Sequence, residues 1–136
     1  MKALIDTNVI LDALITRDPW AAAAQEILRT AAMDKFKGFI TASQTTDIFY
    51  YLRRYGADVS TSKKIIKKLT ASVKISDILP ADVENALDSD MSDYEDGLLA
   101  YCAKRQKTDF IITRNKKDFV KSPVPAISPD EFLVKT

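Results

Sequence analysis

Residues 4–8 read LIDTN, inside the opening MKALIDTNVI. KALID (2–6) is an apolar run with the length and composition of a short buried strand, and it ends on a carboxylate. TNVILDALI follows with no glycine or proline to turn the chain, and it spaces Val9, Ile10, Ala13 and Leu14 as a helix does. A strand running straight into a helix through Asp6 has two readings. Asp6 caps the helix, or it holds a metal ion at the end of a central strand. The rest of the chain decides how far the second reading can be taken.

Working outward, Pro19 opens an alanine-rich helix to about Met33, and Gly38 precedes a strand at FIT (39–41). Ser43 is the expected N-cap of SQTTDIFYYLRRY, where Ile48, Tyr51, Leu52 and Tyr55 form one stripe and Gly56 stops the helix. VSTSKKIIKKLTAS (59–72) reads as a basic amphipathic helix, VKIS (73–76) as a third strand, and Pro80 as the start of a helix through ADVENALD. In DYEDGLLAYCAKRQK, Asp93 is the expected N-cap of a helix whose apolar centre is buried. DFIIT (109–113) and PAIS (125–128) are a fourth strand and a weaker fifth, and SPDEFLV is a last short helix. Short strands, each followed by one or two helices, imply parallel crossovers. The expected fold is a three-layer α/β/α sandwich around a parallel sheet of four to five strands, with residues 1–136 forming one domain.

Composition narrows the chemistry. The 136 residues are 46% hydrophobic and 29% charged, as in an ordinary globular protein, and no apolar run approaches the roughly 18 residues a membrane span needs. No signal peptide is visible, and the single Cys102 excludes an internal disulfide, so the expected compartment is the cytoplasm. Twenty basic and nineteen acidic residues leave a net charge of +1, which does not announce a nucleic-acid binder. Histidine is absent altogether. That removes the Ser-His-Asp and Cys-His triads and nearly every zinc site, leaving carboxylates, lysine or a hard metal held by oxygen.

The acids fall where such a site is expected, outside the carboxyl ends of parallel strands. Asp6 ends the first strand. Asn115 and Asp118 follow the fourth, Asp96 lies in the first turn of the helix feeding it, and Asp47 lies early in the helix after the second. Asp96 shares a face with Leu99, Ala100 and Ala103 by helical spacing, in line with the core and not with solvent. Each acid alone has a structural explanation as a cap or a dipole partner. Several carboxylates bordering apolar faces are costly together unless a cation neutralises them, and magnesium or manganese is the natural one. Hydrolysis of a phosphodiester is the simplest chemistry for such a centre.

LIDTNVILDAL, TASQTTDIFYYLRR, DYEDGLLAYCA and DFIITRNKKDF occur in that order, and together they resemble the PIN domain, the nuclease fold of VapC-type toxins, over roughly residues 1–120. The resemblance implies a ribonuclease dependent on Mg2+ or Mn2+, with Asp6, Asp96 and the acid of the third helix, Asp47, as metal ligands. Two departures stand out. That third acid is most often glutamate in the family, and the residue after Thr-Arg, often aspartate, is Asn115 here. Asp118 is therefore expected to act as the outer acid, with Asn115 orienting. Resemblance further implies an RNA substrate, a small antitoxin protein as partner and a homodimer. Arg53, Arg54, Arg114, Lys116 and Lys117 neighbour the acids and are the candidate RNA contacts. The face Lys63, Lys64, Lys67 and Lys68 carries less weight, because charge on an amphipathic helix is usually just solvated.

Other functions fit less well. A DxD phosphatase would need its second acid at Asn8, and a receiver-like domain would need an acidic pair in LIDTN. A different class of reading is a PIN-like module that binds RNA or protein with weak or no catalysis. Gly97, directly after Asp96, either lets substrate backbone approach or relieves crowding.

Overall fold

The computed structural model describes all 136 residues. Five strands, β1 (Lys2–Ile5), β2 (Lys37–Thr41), β3 (Lys74–Ser76), β4 (Phe110–Ile112) and β5 (Ala126–Ile127), form one sheet in the order β3-β2-β1-β4-β5. Every pairing is parallel. Parallel strands require crossovers, and six helices supply those from β1 to β4: α1 (Thr7–Leu14), α2 (Ala21–Ala32), α3 (Ala42–Arg54), α4 (Val59–Ser72), α5 (Pro80–Asp88) and α6 (Tyr94–Arg105); a 3-10 turn links β4 to β5, and α7 (Pro129–Lys135) follows β5. The expected α/β/α sandwich is present.

Strand alternation divides the core in two. Ala3, Ile5, Ile40, Ile112 and Ile127 point to one face and meet Val9, Ile10, Ile27, Ile48, Leu52, Leu69 and Phe132 from α1 to α4 and α7. Leu4, Phe39 and Ile111 point to the other and meet Leu99, Ala100 and Ala103 of α6. Because β1 is central and covered on both sides, Ala3, Leu4 and Ile5 are all fully buried, which is why KALI reads as a continuous apolar run and not as an alternating one.

The two ends of the sheet differ in charge. Lys2, Lys37 and Lys74 are the first residues of β1, β2 and β3, and they line a cavity of about 290 Å3 with Gly38, Phe39, Ile75, Ser76 and Gln106. No acid lines it. At the opposite end, the order β2-β1-β4 places the reversal of winding between β1 and β4, the point where ligands bind in open parallel sheets. Asp6 leaves β1 there, and Thr113 leaves β4.

Three local expectations change. Thr41, not Ser43, caps α3: its hydroxyl accepts from the Gln44 amide, and the Gln44 side chain accepts from the Thr41 amide at 2.7 Å, a reciprocal capping box. The stripe on α3 is also narrower than its spacing implies. Ile48 and Leu52 are buried, but Tyr51 and Tyr55 are exposed, because residues three positions further round lie at the edge of the buried strip. Gly97 is buried against α5, but an added Cβ would stand at ordinary contact distance, 3.6 Å from the Ala86 methyl, so crowding does not call for glycine there. No helix is long and apolar enough to cross a membrane.

Candidate metal centre

The first reading of Asp6, as a helix cap, is what the structure shows. It is the N-cap of α1 and is almost fully buried; Oδ1 accepts from the Thr7 amide at 2.8 Å and Oδ2 from the Thr113 hydroxyl at 2.8 Å. The Thr113 oxygen in turn accepts from the Asn115 amide at 3.0 Å. The carboxylate is thus locked between the ends of β1 and β4. Behind it, the Gln44 side-chain amide donates to the Ile5 carbonyl at 2.8 Å and to the Thr7 hydroxyl at 3.2 Å, tying α3 to the same corner.

Asp6 forms the floor of an open groove of about 350 Å3, lined also by Asp93, Glu95 and Asp96 from the start of α6, Asn115 and Asp118 after β4, and Thr7, Asn8, Leu11, Arg17, Tyr51 and Arg114. Asp93 caps α6 by accepting from the Asp96 amide at 3.0 Å, so the chain reaches the groove three times within one helical turn, through Asp93, Glu95 and Asp96. A 3-10 turn, Lys116–Phe119, follows Asn115 and brings Asp118 back toward Asp6 and Asp96.

The carboxylates feel one another. Burial, then Asp93, Asp6, Asp118 and Glu95, push Asp96 up to about 7. Burial also lifts Asp6 above the ordinary carboxylate range, against the hydrogen bonds from Thr113 and Thr7, with Asp118 adding to the rise. These are the shifts expected of acids crowded without a counter-ion. No three of them stand close enough together to hold a metal ion between them.

Of the residues expected at the site, Asp6, Asp96, Asn115, Asp118 and Arg114 line the groove. Asp47 is half-buried on α3 and stands beside Glu95, whose carboxyl is raised by burial first and by Asp47 second. It meets the groove through Glu95 and does not line it. Arg53 and Arg54 turn to their own helix end, donating to the Ala57 carbonyl at 3.2 Å and the Tyr50 hydroxyl at 3.3 Å. Lys116 pairs with Glu131 at 2.6 Å, and Lys117 lines a neighbouring hollow with Asp118. Glu95 escaped the sequence reading, although the paired acids of DYED at a helix start were a usable signal. Thr113, Asn8 and Arg17 gave none, because their roles depend on which strand ends are adjacent.

The chain matches the PIN domain family over residues 2–117. No curated protein sequence matches it. Among solved structures, it is similar to VapBC2 from Rickettsia felis bound to a DNA fragment from its promoter, with a TM-score of 0.72 at 14% identity, covering 94% of this chain and 98% of that one. It is also similar to VapBC-1 from nontypeable Haemophilus influenzae, with a TM-score of 0.70 at 14% identity over 96% of this chain and 99% of that one. A third is VapC20 of Mycobacterium tuberculosis, a toxin that cleaves the sarcin-ricin loop, with a TM-score of 0.63 at 12% identity over 80% and 86% of the two chains. At these identities the likeness is one of fold.

Proposed function

Since the chain belongs to the PIN domain family, we propose that its acidic groove is the active site of a metal-dependent endoribonuclease, the toxin of a toxin-antitoxin pair. The observation that carries this reading is the meeting of Asp6, Asp96 and Asp118 at the carboxyl ends of β1 and β4, with Asp96 raised to about 7 by burial and like charge. Such a cluster is stabilised by a cation.

The donor set fits Mg2+ or Mn2+. It is all oxygen, and Asn8 adds a buried Oδ1 that no donor reaches. Asp6, Asp96 and Asp118 would hold the ion, with Asn115 orienting and Asp47 acting through Glu95. A bound ion supplies Lewis acidity, which makes water a stronger acid and neutralises charge on a phosphoryl oxygen. The protein's own part is positional. Thr7 and Thr113 fix the Asp6 carboxylate, and Asp93 fixes the first turn of α6 and with it Asp96. Arg114 lies in the groove as the nearest of the expected RNA contacts, with Lys117 beside Asp118 and Lys116, Arg53 and Arg54 further out. A small antitoxin and a homodimer are the proposed partners, the first supported by the VapBC structures that share this fold.

Cleavage of a mixed set of single-stranded RNAs, with and without Mn2+ or Mg2+, tests the proposal. Metal-dependent cleavage is expected, and Asp6→Asn and Asp96→Asn should each abolish it while keeping the wild-type circular dichroism. RNA binding without cleavage would instead identify a non-catalytic module, and full activity in either variant would remove the metal-site reading.

A further inference from the structure

The one fully buried acid near the groove that does not line it is Asp12. It lies on α1 with no exposed surface, and its carboxylate is saturated by two arginines. Arg17 Nε donates to Oδ1 at 2.8 Å, Arg114 Nε to Oδ2 at 2.6 Å, and Arg114 Nη2 to Oδ1 at 3.2 Å. Arg17 Nη2 also donates to the Asn8 carbonyl at 3.1 Å, and the Arg114 guanidinium lies 4.0 Å from the centre of the Trp20 ring. The arginines come from distant parts of the chain, one just after α1 and one just after β4, and meet on a single carboxylate.

Two features point beyond stability. Two cations share one acid, so the cluster keeps one positive charge where a simple buried pair would be neutral. Arg17 and Arg114 are also the only cationic side chains lining the acidic groove. Each has its Nε and Nη2 engaged, which leaves Nη1, with two N–H donors, free. Their side chains stay 26% and 22% exposed. Held by a bidentate bond and an aromatic face, Arg114 loses little further freedom on gripping an anion, and the guanidinium fork suits phosphate.

We infer that Asp12 is a positioning residue that sets Arg17 and Arg114 as a paired guanidinium clamp for an RNA phosphate beside the carboxylates. The inference rests on reading the groove as a nuclease site, but it is read out in binding as well as in cleavage. A polyanion approaching Asp6, Asp96 and Asp118 meets repulsion, and the clamp supplies the attraction that places a phosphate next to the metal ligands. Asp12 itself touches no substrate.

The test compares Asp12→Asn, Asp12→Glu, Arg17→Ala/Arg114→Ala and the triple combination. Binding of a short fluorescein-labelled single-stranded RNA is measured by anisotropy across a salt series, and KM and kcat are measured with Mn2+. Asp12→Asn is expected to weaken binding and raise KM on the order of tenfold, the loss of one charge-assisted hydrogen bond. It should leave kcat within about threefold and the Mn2+ midpoint unchanged, and Asp12→Glu should recover part of the loss. Adding Asp12→Asn to the double arginine variant should change binding no further. A lower melting temperature with wild-type binding and KM would show a structural role only and overturn the inference, as would an Asp12→Asn defect undiminished in the double-arginine background. If wild-type protein binds RNA but cuts none, the nuclease reading fails while the binding arm still decides the clamp. If Asp12→Asn does not fold, Arg17→Lys and Arg114→Lys, which keep charge and lose the fork, carry the test: weaker binding in either supports the clamp, and wild-type binding in both overturns it.

Discussion

Asp96 titrates in a range where a free aspartate is fully ionised. Its folded value of about 7 exceeds the ordinary 3.8, so between those values the folded protein holds a proton that the unfolded chain has released. Its contribution to stability is therefore best at low pH and falls as pH rises toward 7. In metal-free buffer, Asp96→Asn should melt higher than wild type near pH 8, and the gap should close by about pH 4; melting curves of the two proteins across that range check it. The same substitution that removes catalysis is thus expected to strengthen the empty fold. Asn115 and Asp118 divide a different task. Asn115 lends its amide to Thr113 and brings no charge, whereas Asp118 raises both Asp6 and Asp96. Asp118→Ala should slow cleavage and weaken apparent metal affinity more than Asn115→Ala does, as read from metal titrations of the rate; a dead Asn115→Ala beside an unaffected Asp118→Ala would reverse the roles.

Among the elements, the junction of β1, β2 and α3 depends on one amide. Gln44 is buried, closes the capping box of α3 by accepting from the Thr41 amide and bonds across to β1. Gln44→Ala would strand the Thr41 amide and the Ile5 carbonyl, a loss of about 2 to 3 kcal/mol, and urea unfolding measures it directly. The strands and helices themselves were legible, since each carries its own period, cap or breaker: KALI, DFII and the Ser128-Pro129 start needed no partner to be recognised. Legibility failed where a contact crossed elements. Thr41 was passed over for Ser43 because both suit a cap, and only the reach of Gln44 back to the strand distinguishes them. Glu95 is marked in the sequence only by the paired acids of DYED, its neighbour Asp47 lying on another helix, and nothing there marks Asp12, whose partner Arg114 lies 102 positions away. Asp6, Asp96 and Asp118, by contrast, were placed by strand ends and helical spacing alone.

For the molecule as a whole, the mutual repulsion of the groove carboxylates couples cation binding to stability. A divalent ion bound only by the folded state adds about 2.7 kcal/mol at a hundredfold excess over its Kd. In a domain of this size that raises Tm by roughly 2 to 6 °C for each kcal/mol. Thermal scans with millimolar Mn2+, compared with the same scans on Asp6→Asn, should show the rise in wild type and little in the variant; no rise in either would argue for a module that works without the ion.

The lysines that open β1, β2 and β3 stand at the far end of the sheet from the carboxylates that follow β1 and β4. A net charge of +1 therefore describes this protein poorly. Lysines gather at one pole of the strands, offset in part by Asp34 and Asp109, and carboxylates at the other, so at low ionic strength the protein is expected to be held by cation exchangers through one pole and by anion exchangers through the other. A polyanion in solution will turn it lysine end first, so added salt, by shortening the reach of that pole to about 10 Å at 0.1 M, frees the molecule to present its acidic end.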